Sequence, residues 1–318
     1  PHLAPASSVV PFAAGAVAGV SLAWLPTSGG ASVDRLLLAL HAFVRAMDLA
    51  ASAVVRAGVV PAVPHLDSAV FILSCTEIMY SWFYHPTALP RVYQQWISAM
   101  ARMDVRLLDA LRALKEGRIK YGASTDVLSQ YCVDHGLPAS MGDMGLHHPL
   151  SCEVVHPLDG THCTHNFLRR FLRGFSQSAR LYVPLYLVLS LVSARHRAKG
   201  TPPAAVAKAV LKSTAESAVR SSVFLGAFIA LVWGGVCASR TALQDDRTLG
   251  PAFGSFLCGF SVLVEKRRRR RELACYVLPR ALQSAWYRLS AKGLVRAVPG
   301  ADIMLFAVAA AVFMAVYE

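Results

Sequence analysis

The sequence predicts an all-α, polytopic helical membrane protein built around an internal repeat, and three observations carry that expectation. First, the 318 residues are 55% hydrophobic and only 16% charged, with a mean hydropathy of +0.44, which is too apolar for an ordinary soluble domain. Second, the apolar residues gather into about eight separate segments. Third, the chain repeats itself. Shifted by 235 positions, residues 38–71 align with 273–306 without a gap, and 12 of 34 positions are identical, where roughly three would arise by chance. Arg45/Arg280, Gly58/Gly293, Pro64/Pro299, Asp67/Asp302 and Phe71/Phe306 are among the matches, and Gly19-Val-Ser21 answers Gly259-Phe-Ser261 upstream. A duplication of this kind dictates architecture before any single element does.

Taken in order, residues 8–24 form an uncharged apolar run with Gly15-x-x-x-Gly19, a spacing that lets a second helix approach closely. Residues 33–57 form a second apolar helix, but Arg35, His41, Arg45, Asp48 and Arg56 are too many charges for a face in lipid. Residues 68–84 form a third, carrying Glu77 at a depth that makes an ion pair with Arg45 plausible; two independent polar contacts are the alternative. From His85 the pattern becomes amphipathic, suited to helices lying in the membrane interface or packed on the bundle. Residues 171–194 and 213–239 are further spans, the first interrupted by Pro184 and holding Arg180, the second opening with Glu216 and Arg220 one turn apart. The second repeat copy follows: 251–264, a basic run, a helix over 272–290, a turn, and the apolar stretch 302–317. Three regions result: a first copy over 1–84, a connecting region over 85–165 that contains Cys and His, and a second half over 166–318 whose copy occupies 251–318.

If every apolar segment crosses, five crossings separate equivalent points and the second copy is inverted relative to the first, an arrangement found in many transporters. The second copy is preceded by a Cys/His loop and two helices, so the repeat predicts a matching stretch ahead of Pro1 in the full gene product. The formal charge of +13 sits beside apolar segments rather than in a soluble patch, which points to anionic lipid and not to nucleic acid. Lys266, Arg267, Arg268, Arg269, Arg270 and Arg271 read as a solvated loop at the membrane face, on the side that also holds the basic residues of 195–212 and would face cytosol or matrix. Seven cysteines, an odd number scattered through apolar segments, argue against a disulfide framework. Cys152, His156, Cys163 and His165 could hold a structural zinc ion, although C-x3-H…C-x-H is not a standard ligand spacing; the alternative is a structured loop with His165 and Asn166 capping the next helix.

The segments CEVVHP…CTHNFLRRF, ARLYVPLY, RSSVFLGAFIALVWGG, RRRRRELACYVLPRALQSAW and WFYHPTALPRVYQQWI resemble the transmembrane protein 135 family of peroxisomal and mitochondrial membranes. That family is distantly similar to the Tim-type import-channel and peroxisomal membrane protein superfamily. The resemblance covers nearly the whole chain and implies a multi-span organelle protein tied to mitochondrial or peroxisomal dynamics, lipid handling and lipid export, with bound phospholipids and no catalytic residues. On that reading the chain is not an enzyme. Separately from the resemblance, charge within apolar segments, with Arg45 and Arg280 at equivalent repeat positions, makes Arg45, Arg180, Arg220 and Arg280 candidate cations for an acyl carboxylate or phosphate head group; snorkelling at helix ends or structural ion pairs are the alternative. Asp67, Asp302 and Glu77 are the accompanying charges. The alternative function is a scaffold or accessory subunit of a large mitochondrial membrane complex, whose partners would be other subunits or division machinery.

Overall fold

A computed structural model describes residues 9–24, 34–157, 162–197, 202–247, 249–296 and 298–317. Among them there is no strand. The helices are α1 (Val9–Gly19), continued by a 3-10 turn (Val20–Trp24), α2 (Arg35–Arg56), α3 (Leu66–Tyr84), α4 (Arg91–Ala101), α5 (Val105–Lys115), α6 (Ser129–Asp134) and α7 (Cys152–Val155). There follow α8 (Cys163–Arg197), α9 (Pro203–Leu243), α10 (Leu249–Gly259) with its 3-10 turn (Phe260–Val264), α11 (Arg267–Ala291) and α12 (Ala301–Tyr317).

Each apolar segment expected from the sequence lies in a helix, but the count of spans changes. Among the described residues three helices are long and apolar enough to cross a membrane: Arg35–Arg56, Cys163–Ala194 and Pro203–Leu243. Val10–Trp24, Leu249–Val264 and Ala301–Val316 are apolar but shorter, below the roughly 20 residues that a hydrocarbon core requires. The remaining two segments sit in α3 and α11. Helix α11 begins at Arg267, so Arg267 to Arg271 form its first turns instead of a loop. This corrects the loop reading. Five cations at a helix N-terminus oppose the helix dipole, and the structure offsets part of that charge: Arg268 and Arg269 pair with Glu272, while Arg271 reaches Asp48 at 2.6 Å.

Two compact units emerge, one of residues 1–78 with 268–318 and the other of 79–267. They cut across the consecutive regions 1–84, 85–165 and 166–318, because α11 and α12 group with α1 and α2.

In the first unit α12 packs on α1 and α2. Small residues make the first contact possible. A Cβ placed on Gly15 would stand 2.5 Å from the Ala310 carbonyl oxygen, and one on Gly19 would strike Ala307. Charges on these helices are paired: Arg35 with Asp302 at 2.9 Å and Arg288 with Glu77 at 2.7 Å, the latter carboxylate also accepting from Ser284. Glu77 is therefore bound to Arg288 and not to Arg45, and Arg45 is exposed.

Backbone details recur at the offsets read in the sequence. Helices α2 and α11 end 235 residues apart, at Arg56 and Ala291, and α3 and α12 start 235 apart, at Leu66 and Ala301. The C-terminal bonds Gly58 N to Val55 O and Val59 N to Val54 O are matched by Gly293 N to Ser290 O and Leu294 N to Leu289 O. Gly58 and Gly293 both take the left-handed conformation, at φ 75° and 72°, the ordinary way to close a helix. Helix α1 with its turn and α10 with its turn match residue for residue at an offset of 240.

In the second unit α8 and α9 form a long antiparallel hairpin, and α10 packs on α9 through Gly254 and Gly235. Residues 79–157 build a conventional core. Helix α5 starts at Asp104, whose side chain accepts from Arg106 N, and buries Leu107, Leu108 and Leu111. Trp82 and Phe83, at the end of α3, are buried as well. Arg112 donates to the carbonyls of Phe83 and Trp82 at 2.8 and 2.9 Å, satisfying the last turn of α3. The amphipathic pattern of 85–115 thus reflects packing inside the protein for α5, whereas α4 leaves Val92 and Trp96 exposed.

Candidate metal centre and its surroundings

Helix α7 is a single turn whose N-cap is Ser151, with its hydroxyl accepting from Val154 N. That turn sets Cys152 and His156 one above the other, as residues four apart must be. Cys163 opens α8. Its Sγ lies 3.5 Å from Cys152 Sγ and 3.7 Å from His156 Nε2, and the three ligand atoms fall within 4.8 Å of one another. His156 is 2% exposed, and its Nδ1 has no hydrogen-bond partner among the described residues. No disulfide joins any of the seven cysteines.

Of the four residues expected as ligands, three converge and His165 does not: it lies on α8, exposed, outside the group. The helix explains this. Two residues along an α-helix turn the side chain by about 200°, so once Cys163 begins a helix, Cys163 and His165 point away from each other. Asn166 belongs to the same helix, where its Oδ1 accepts from Arg170 Nε at 2.7 Å rather than capping it.

A cavity of about 280 Å³ adjoins His156, lined in part by Arg102, Asp104, Tyr131, His135 and Arg173. Asp104 carries a carboxyl held below the usual range by its hydrogen bonds from Arg106. Arg170 crosses from α8 to the Ala101 carbonyl at 2.7 Å and stands over the Trp233 ring at 4.2 Å.

Below α9 lies an ion pair that the sequence did not single out. Arg240 and Asp246 are bonded to each other with side chains only 5% and 0% exposed. Asp246 also accepts from Tyr121 Oη at 2.9 Å and Leu150 N at 2.7 Å, and Arg240 donates to the Leu150 carbonyl. The pair ties the loop 121–150 to the end of α9. Its sequence signal is faint: an arginine in the last turn of a long apolar helix, then Asp246 six residues on, after Gln244 at φ 51° has ended the helix.

The four candidate cations do not form one cluster. In the first unit Arg45 and Arg280 both stand within electrostatic range of His41. Arg280 is half-buried and donates to Gln283 at 2.6 Å, and Gln283 in turn donates to Asp34, the N-cap of α2. In the second unit the hairpin register sets Gly174 against Gly226 and Phe167 against Gly234, so Arg180 on α8 and Arg220 on α9 stand at the same level. Glu216 pairs with Lys212 at 3.9 Å. Asp67 and Asp302 each occupy the second position of their helix, where a carboxylate complements the dipole.

The chain matches no protein-family model, no curated protein and no solved structure.

Proposed function

We propose that this chain is an integral membrane protein that handles lipids without a catalytic centre, of the transmembrane protein 135 type and resident in a mitochondrial or peroxisomal membrane, with the repeat as the product of a duplication. The observation that carries this reading is the outer surface of α8. Leu181, Leu185, Val188, Leu189, Leu191 and Val192 are all exposed, a broad apolar helix face that water does not tolerate and lipid does. Where α8 and α9 meet there is an apolar groove of about 600 Å³ lined by Leu187, Leu191, Val206 and Val210. Further along the hairpin Arg180 lies about 10–16 Å from Leu187 and Leu191, and Arg220 about 15–21 Å from Val210 and Val206, counting residues at the helical rise. An acyl chain in the groove would bring a carboxylate or phosphate within reach of these two cations.

The test is lipid retention by the detergent-purified protein, read by mass spectrometry. Arg180→Ala with Arg220→Ala should lose anionic lipid several-fold while keeping neutral lipid. Arg45→Ala should change little. Equal anionic-lipid retention by wild type and the double variant would overturn the assignment. The exposed Val92 and Trp96 of α4 favour a second reading, a docking surface for other subunits, which co-purification of a stable partner lost in Trp96→Ala would establish.

A further inference from the structure

We infer that the second unit holds a closed zinc centre of three thiolates and one imidazole, with Cys237 of α9 as the fourth ligand beside Cys152, His156 and Cys163. Cys237 is buried, and the hairpin register that sets Gly174 against Gly226 and Phe167 against Gly234 brings it level with Cys163, although its sulfur stands outside the group whose ligand atoms lie within 4.8 Å of one another. Two of the three separations among the others already match a tetrahedral site. Zinc–sulfur bonds of about 2.3 Å and zinc–nitrogen bonds of about 2.0–2.1 Å give ligand separations of about 3.8 Å between sulfurs and about 3.6 Å between sulfur and nitrogen. The observed values are 3.5 and 3.7 Å. A tetrahedral set dominated by thiolate sulfur selects zinc over magnesium, calcium or manganese.

Charge and protonation support the same assignment. Three thiolates around a divalent zinc leave one net negative charge. Arg240 lies within electrostatic range of both Cys163 and Cys237, and Arg170 within range of Cys237, so that charge has cationic neighbours. Ligation through Nε2 places the imidazole proton on Nδ1, which is buried and has no hydrogen-bond partner among the described residues. With four protein ligands the centre has no open coordination position, so its role is to hold structure. The ion would lock α7 and the start of α8 onto α9, beside the buried Arg240–Asp246 pair. This inference is independent of the lipid reading.

The experiment is elemental analysis and cobalt substitution of the full chain, purified in detergent without chelators. One zinc per chain is expected in wild type and in His165→Ala, whereas Cys237→Ser should bind zinc at least about tenfold more weakly, as loss of a ligand does no less damage than loss of an outer partner. Cobalt(II) in the wild-type protein should give tetrahedral d–d absorption and a thiolate charge-transfer band with the intensity of three sulfurs. Cys237→Ser should lower that band by about one third. The wild-type band alone decides between three sulfurs and two if the variant does not fold. Absence of stoichiometric metal, a Cys152–Cys163 disulfide in the native protein, or a wild-type band of two thiolates would each overturn the proposal.

Discussion

Asp246 accepts hydrogen bonds from the guanidinium of Arg240, the hydroxyl of Tyr121 and the amide of Leu150 while its side chain is wholly buried. Removing one partner of such a pair leaves an uncompensated charge in a dry site and costs about 3–5 kcal/mol. Asp246→Ala should therefore lower the thermal midpoint of the detergent-solubilised protein by many degrees. Asp245→Ala, which takes away a partly exposed pair with Arg247 and the bond from Arg247 N, should shift it less, because exposed pairs contribute between zero and about 1 kcal/mol. Equal effects from the two would contradict the geometry. Asp143 responds to acid instead. Its carboxyl accepts from Thr125 N at 2.9 Å, Gly145 N at 2.8 Å and Ser124 Oγ at 2.8 Å, and these bonds hold it below the usual carboxylate range. A depressed carboxyl contributes stability above its unfolded value of about 4 and loses it as pH falls further, through the folded value. Hydrogen exchange across residues 121–150 should accelerate on acidification below about pH 4 in wild type, and Asp143→Asn should be fast already at neutral pH, with a flatter acid dependence.

At the level of elements, the contact of α9 with α10 depends on the absence of a side chain at two positions. A Cβ on Gly235 would stand 2.6 Å from the Gly254 Cα, and one on Gly254 would run into the Val232 carbonyl. Backbone cannot yield as a flexible side chain does, so Gly254→Val must push α10 off α9. Overpacking of this kind costs about 1–3 kcal/mol. Melting should show that loss, while Phe253→Ala, at an exposed position of the same helix, should be near neutral; a Gly254→Val protein as stable as wild type would mean that α9 and α10 are not in contact. The sequence made the helices themselves readable, since their apolar runs and the closing glycines at Gly58 and Gly293 are local signals. It misplaced their ends where charge interrupted the run. Helix α8 starts at Cys163, well before the apolar stretch from 171, because Arg170 is accommodated over Trp233 and against the Ala101 carbonyl.

For the whole molecule, the described residues are helical as composition and apolar patterning lead one to expect, because helix formation and closure depend on residues within a few positions of one another. Which segments are long and apolar enough to cross a membrane is narrower than hydropathy alone suggested, since Asp67 and Glu77 in α3 and the arginines of α11 lower those helices' apolar character. The candidate site was only partly legible. Cys152, His156 and Cys163 are close in sequence and could be named from spacing, and His165 was added on the assumption of a loop that proves to be a helix. Cys237 sits in an apolar run far along the chain and carries no local mark of a ligand. The same holds for the pairing of Glu77 with Arg288 and of Arg240 with Asp246. Sequence by itself determined the helices and their chemistry; only the tertiary structure decided which charges and thiols meet, because those partners are brought together by helix packing across long stretches of chain, and packing is a property of surfaces that no local pattern encodes.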